Sequence, residues 1–255
     1  MAHSGSLPAT SETARALVGR LMPCLLLRGG RVMAPGDDGP VVARTPSGEP
    51  FDVLAVADQL TERYHRLYLV DLDGIERDQP QLDYLQEIAR GAEVWIDAGV
   101  RTSDQAIDIV VAGAFRTVLT SGRLESEKEL GRTWKLSPEI AFEIELVDGA
   151  LRAAPPEWTG FAPARLAGVA RGMGLQDVIV SPRGADVDWT LVAELAKGGS
   201  TWVDGTFDPS DVARLAAAGA SGGIFHVNEE LRGVPARSGE SGRDARGGEA
   251  LDDDT

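Results

Sequence analysis

The chain has 255 residues, 43% hydrophobic and 25% charged, an ordinary globular composition with enough length to bury a large core in one domain or two small ones. A net charge of −15 repels nucleic-acid phosphates, so DNA and RNA are not expected as partners. No apolar run reaches the ~20 residues of a membrane-spanning helix, the first residues lack the basic-then-apolar order of a signal peptide, and the one cysteine, Cys24, cannot pair internally; no membrane association and a cytoplasmic location are expected.

In chain order, residues 1–20 read as a flexible segment with a short helix near Glu12–Leu21. Residues 21–232 then alternate short apolar runs with amphipathic patterns. Strands are expected at Pro23–Leu27, Arg66–Asp71, Glu93–Asp97, Thr117–Thr120, Ile140–Leu146, Asp177–Ser181, Thr201–Asp204 and Gly223–His226. They lack strict alternation, as strands buried on both faces do. Leu82, Leu85 and Ile88 recur at helical spacing, as do Ala106, Ile107, Val110 and Val111. Ser103 and Asp208–Pro209 suit helix openings, and Gly113 and Gly219 suit helix ends. Eight β–α units predict a single (β/α)8 TIM barrel, with a doubly wound open sheet as the alternative. Residues 233–255, rich in Gly, Ser and charge, read as a disordered tail.

The chain also echoes itself. "VWIDAGVRTSDQA" (Val94–Ala106) resembles "TWVDGTFDPSDVA" (Thr201–Ala213), so one interval separates Trp95 from Trp202, Asp97 from Asp204 and Ser103 from Ser210. "LYLVDLDG" (Leu67–Gly74) echoes "DVIVSPRG" (Asp177–Gly184), and "LLLRGGRV" (Leu25–Val32) echoes "IELVDGAL" (Ile144–Leu151). The common order predicts two fused half-barrels.

Such duplication marks the histidine-biosynthesis barrel family, which this sequence resembles. The family includes the phosphoribosyl-formimino-aminoimidazole-carboxamide ribotide isomerase and the cyclase subunit of imidazole-glycerol-phosphate synthase. The resemblance is carried by "MPCLLLRGGRV", "LYLVDLDGIERDQPQLDYLQEIA", "DAGVRTSDQA", "AGAFRTVLTSG", "ELVDGAL" and "AAAGASGGIF". It implies the barrel fold and, for the isomerase, an acid at the end of the first strand and another at the end of the fifth. Here those positions hold Leu26, which moves no proton, and Glu145, which can. The family's phosphate cradles are also altered. Asp97 opens the glycine run after the third strand, Asp204-Gly205-Thr206 follows the seventh, and His226-Val227-Asn228 follows the eighth; only Thr120-Ser121-Gly122 keeps the character of a phosphate nest. A carboxylate beside a phosphate dianion is repulsive, so the bis-phosphate reaction is not expected.

The residues at the strand ends supply the candidate site. Glu145 and Asp71 are the acid/base candidates. Asp97, Arg101, Thr120, Ser121, Gly122, Asp204, Gly205, Thr206 and His226 are the substrate-binding candidates, with Glu143, Asp73 and Arg183 nearby. Glu143 and Glu145 are two apart and point the same way, and two acids on one buried strand are costly unless solvated or paired. Gathered acids could bind a divalent cation, bind an amine-bearing or pterin-like ligand, or raise one another's pKa toward general-acid chemistry. Against these stands a plainer reading, in which Asp97 and Asp204 cap the following helices or hydrogen-bond loop amides, with their charge offset by Arg101 and Arg183. Trp95 and Trp202 suit core layers better than ligand stacking. No Cys/His metal motif is present, and no cofactor is expected unless the acids hold a cation. The expected protein is a divergent relative of the ribotide isomerase, acting on a different small, possibly phosphorylated metabolite by isomerase- or lyase-type acid/base chemistry. A non-catalytic binding or assembly barrel is the alternative, and surviving phosphoribosyl isomerase activity with Asp71 as substitute acid is the second. A homo-oligomer or a partner at the barrel mouth remains compatible with the sequence.

Overall fold

The computed structural model describes residues 19–36, 38–184, 186–205, 209–227 and 231. Thr206, Asn228, the expected tail over 233–255 and most of the helix expected near Glu12–Leu21 lie outside the described residues. Leu21, the last residue of that expected helix, instead opens a strand.

Eight parallel strands form the frame: β1 (Leu21–Arg28), β4 (Arg66–Asp71), β5 (Glu93–Asp97), β6 (Arg116–Thr120), β7 (Ile140–Val147), β9 (Asp177–Arg183), β10 (Thr201–Gly205) and β11 (Gly222–His226). Each pairs in parallel with the next, and β11 returns to pair with β1, so these eight strands close into a barrel. The open-sheet alternative is thereby set aside; the protein is a single (β/α)8 barrel.

Closure explains the apolar runs. Met22, Cys24 and Leu26 of β1, Tyr68 of β4, Trp95 of β5, Val118 of β6, Ala141 of β7, Ile179 of β9, Trp202 of β10 and Ile224 of β11 pack together inside the barrel. The residues between them, such as Leu25, Leu27, Leu67, Leu69, Val94 and Ile96, pack outward under the helices. Both faces of every strand are therefore buried, and the two-residue period separates two cores instead of a wet and a dry face.

The helices are α1 (Val53–Arg63), α2 (Leu72–Arg77), α3 (Leu82–Ala89), α4 (Ser103–Val111), α5 (Glu127–Leu136), α6 (Pro163–Gly172), α7 (Trp189–Ala196) and α8 (Pro209–Ala217). In α1, Val53, Val56, Ala57 and Leu60 make the buried stripe and the Asp52 carboxylate caps the Ala55 N–H. Helix α4 starts from a Thr102–Gln105 capping box, one residue before the expected Ser103, and ends at Gly113 with φ of 102°, a backbone state that favours glycine. Two helices follow β4, and among the described residues no α-helix follows β11.

Two antiparallel arms were not foreseen. β2 (Arg31–Ala34) folds back on β1 and carries β3 (Val41–Val42), while β8 (Ala150–Leu151) folds back on β7. Both reversals use two left-handed residues, Gly29-Gly30 and Asp148-Gly149, which suit the twist of a tight hairpin. The arms extend the first and fifth barrel strands beyond the barrel rim.

Candidate functional site

Each inner row of the barrel changes character along its strand. Trp95 is followed two residues on by Asp97, Val118 by Thr120, Ala141 by Glu143 and then Glu145, Ile179 by Ser181 and then Arg183, Trp202 by Asp204, and Ile224 by His226. The floor is apolar and the carboxyl-end rim is polar, the place where barrels of this kind build sites. Trp95 and Trp202 belong to the floor. Their rings meet at 5.3 Å and 60°, which fits the core-packing reading of the pair.

Glu143 is at the centre of the polar layer and fully buried. Tyr68 Oη donates to its Oε2 at 2.6 Å, and Arg183 Nη2 donates to its Oε1 at 3.0 Å. Burial pushes its pKa up to about 7; Arg183 and the Tyr68 hydrogen bond oppose the rise, while Asp97 and Asp204 add to it. Burial and the nearby Glu143 also push the Tyr68 phenol up, so Tyr68 stays a neutral donor. Burial drives the Cys24 thiol up as well, which keeps it unreactive.

Arg183 joins three of the acids. Beyond Glu143 it lies 3.8 Å from Glu145 Oε1 and 3.5 Å from Asp204 Oδ2. Burial works against this cation, but Glu143 and Asp204 outweigh it and raise its pKa. Asp204 Oδ2 also accepts from Ser181 Oγ at 2.8 Å, while its Oδ1 is buried and has no hydrogen-bond partner among the described residues.

The other side of the mouth turns on Arg123. Its Nη1 pairs with Asp97 Oδ2 at 3.1 Å, reaches Thr120 Oγ1 at 3.3 Å and lies 3.7 Å from Glu145 Oε1. Asp97 Oδ1 accepts from Gly99 N–H. Among the described residues Glu145 Oε2 has no hydrogen-bond partner, and Arg152 Nη1 stands 4.0 Å away. Glu145 presses on the turn after β6: a Cβ on Gly122 would meet its Oε2 at 1.8 Å. The Ser121 hydroxyl is engaged twice, donating to Arg152 O and accepting from Glu145 N–H.

The mouth therefore gathers Asp97, Glu143, Glu145, Asp204, Thr120, Ser121 and Gly122 from the expected set, with Gly205 and His226 on an adjoining cleft of about 950 Å³. Asp71 does not join them. Its two oxygens accept from the N–H groups of Asp73, Gly74 and Gln81 and from the Gln81 side chain, capping α2. Asp73 accepts from Gly29 N–H and so ties α2 to the first arm. Arg101 is exposed, and the ion pair to Asp97 comes from Arg123. Sequence reasoning missed Tyr68, Arg123, Arg152 and Ser181. Tyr68 and Ser181 had a usable signal, since both share the strand parity of the inner rows; Arg123, in a turn, and Arg152, in the irregular chain after β8, had none.

At least one guanidinium stands beside each of the four acids, and among the described residues no group of three or more His, Cys, Asp or Glu is arranged to hold a metal. Among the described residues, too, no helix is long and apolar enough to cross a membrane.

A closed parallel barrel with a charged layer at the carboxyl ends of its strands places the chain among the (β/α)8 proteins. Within that class it belongs to the family described as histidine biosynthesis protein, which it matches over residues 20–197, from the residue before β1 to the end of α7. No curated protein matches the chain.

Proposed function

We propose that this chain is an acid/base enzyme of the histidine-biosynthesis barrel family that acts on a small metabolite other than a bis-phosphorylated ribotide, by isomerase- or lyase-type chemistry. The observation that carries this reading is Glu143. A carboxyl with a pKa of about 7 can both give and take a proton near neutral pH, and this one sits in the polar layer between Tyr68 and a cleft-lining arginine. Glu145, one inner position further on, is the second proton carrier. Arg183 couples them: a substrate group that draws it away from Glu143 removes the main charge holding that pKa down and strengthens the carboxylate as a base. The substrate carries at most one phosphate, because Glu145 already lies on the Gly122 turn and Asp204 lines the opposite side. The duplication belongs to the same proposal; the two arms with equivalent turns, on the first and fifth barrel strands, support an origin from two half-barrels.

A non-catalytic binding or assembly barrel, cytoplasmic like the enzyme reading, is favoured by a different observation. Leu26 packs against Met33 where the family has an acid, and every acid at the mouth faces an arginine. Survival of the ribotide isomerase with Asp71 as substitute acid is weakened by the four donors already on that carboxylate.

A thermal-shift screen over phosphoribosyl intermediates, free heterocycles and divalent cations, followed by NMR detection of conversion for each stabilising compound, tests these readings. The expected result is a stabilising compound that the protein converts and that Glu143→Gln binds but does not convert. Stabilisation without conversion favours the binding barrel. Conversion of a bis-phosphorylated ribotide returns the protein to the family's isomerase reaction.

A further inference from the structure

The two oxygens of the buried Glu143 carboxyl are held by different kinds of donor. Tyr68 Oη donates to Oε2 at 2.6 Å, and Arg183 Nη2 donates to Oε1 at 3.0 Å. The tyrosine bond crosses the barrel. Tyr68 is on β4 and Glu143 on β7, with β5 and β6 between them in the sheet, so strand pairing does not bring the two together. The Tyr68 ring stands in the apolar floor with Met22, Cys24, Leu26 and Trp95.

The two donors differ in what they can give up. Tyr68 is only 2% exposed, and among the described residues its hydroxyl has no hydrogen-bond partner other than Oε2. A proton on Oε2 would either face the phenol proton or turn it toward the apolar floor, where an unpaired donor is costly. Arg183 has alternatives. Its side chain is 41% exposed, and Asp204 Oδ2 at 3.5 Å and Glu145 Oε1 at 3.8 Å lie within its reach. A protonated carboxyl oxygen also keeps acceptor capacity, so Oε1 can hold a proton with Arg183 beside it or after Arg183 has moved.

We propose that Tyr68 is a positioning residue for the acid/base step: it fixes Oε2 as a constant acceptor, so the proton enters and leaves Glu143 at Oε1 alone, the oxygen that Arg183 holds. This rests on the enzyme reading above and gives its proton transfer a direction. In the base stroke a substrate bond to hydrogen breaks, its electron pair stays on the substrate, and the Oε1–H bond forms. The acid stroke reverses this, and Tyr68 keeps its own proton throughout. A phenol whose pKa is pushed up by burial and by Glu143 suits that role. The titratable and charged groups around Glu143 are Cys24 from β1, Tyr68 from β4, Asp97 from β5, Arg183 from β9 and Asp204 from β10, with Glu145 on its own strand and bridged to it by Arg183. Exchanging Tyr68 for phenylalanine removes one donor and leaves each of those charges in place.

Carbon-13 NMR of the glutamate-labelled full chain tests it, with the Glu143 carboxyl signal identified by its absence from Glu143→Gln. The parent midpoint is expected at about pH 7. Tyr68→Phe is expected to raise it by about one pH unit, because the lost bond favours the charged form. A tyrosine with a purely structural role would lower stability and leave the midpoint alone, and an unmoved midpoint overturns the inference. If Tyr68→Phe fails to fold, the parent supplies a second test. In tyrosine-labelled protein the Tyr68 hydroxyl proton is expected to stay hydrogen-bonded on both sides of the Glu143 midpoint. Loss of that bond on the acid side would put the carboxyl proton on Oε2 and overturn the inference as well. Neither measurement needs turnover. A raised midpoint and a retained hydroxyl bond in a protein that converts nothing leave this proton assignment standing and sink the enzyme reading. Conversion that needs Glu143 but is unchanged by Tyr68→Phe in kcat and in pH profile sinks this inference alone.

Discussion

Glu143 has the most to lose from its position, and its titration is the clearest handle on the site. Folded, it holds its proton to about pH 7; the ordinary value is 4.5. Between those values the folded state binds more protons than the unfolded state, so stability falls as pH rises, and the loss is complete above about 7. A rise of this size corresponds to about 3 kcal/mol. Glu143→Gln is expected to remove this slope, so that urea midpoints at pH 5 and pH 7.5 lie closer together than in the parent. An unchanged slope would assign the titration to another group. Gly122 offers a second residue-level test. The Glu145 carboxylate occupies the space a Cβ would need, so Gly122→Ala is expected to cost about 1–3 kcal/mol by overpacking. Glu145→Ala should then cost less on that background than alone, and strict additivity in the double-mutant cycle would refute the contact.

At the scale of elements, the strands were legible and the direction of each side chain decided the rest. Two-sided apolar runs and the turn residues between them marked all eight barrel strands. The arms β2, β3 and β8 were not visible, because two- to four-residue hairpin strands carry no periodicity and take their stability from pairing with β1 and β7. Asp71 shows how a strand end can mislead. On β4 the inner position is Tyr68, so Asp71, three residues on, has the opposite parity and turns to the start of α2. Counting in twos from the inner tryptophans reaches Asp97 and Asp204; counting from Tyr68 passes Asp71 by. Asp71→Ala should therefore act on the helix. It is expected to cost about 2 kcal/mol or more through the lost cap and unpaired N–H groups, measured by denaturant unfolding, and to leave the pH dependence assigned to Glu143 in place. A change in that dependence with little loss of stability would put Asp71 in the mouth after all.

For the whole molecule, the family-like sequence established the barrel but not how tightly its last strand must dock. Family resemblance is carried by apolar runs and glycine turns, which specify the scaffold; the ion-pair pattern at the mouth depends on three arginines, Arg123, Arg152 and Arg183, brought together from separate loops and strand ends, and no local spacing encodes that. Closure can be probed at one backbone position. Gly223 N–H donates to Arg20 O as β11 meets β1, and a Cβ on Gly222 would lie 2.3 Å from that same carbonyl and 2.4 Å from the Trp202 ring. The carbonyl belongs to the chain entering β1, and the ring is held against Trp95, so neither can yield cheaply. Gly222→Ala is expected to destabilise the protein by about 3 kcal/mol, at the upper end of overpacking costs, and to disturb the near-ultraviolet dichroism of the tryptophan pair. Gly168, inside α6 with nothing near its Cβ position, is the matched comparison. There the same substitution meets open space and should add about 0.5–1 kcal/mol through helix propensity alone. If both variants shift the unfolding midpoint in the same direction, the tight approach at Gly222 is not what closes the barrel, and the seam between β11 and β1 must tolerate a wider spacing than the packing of Trp202 implies.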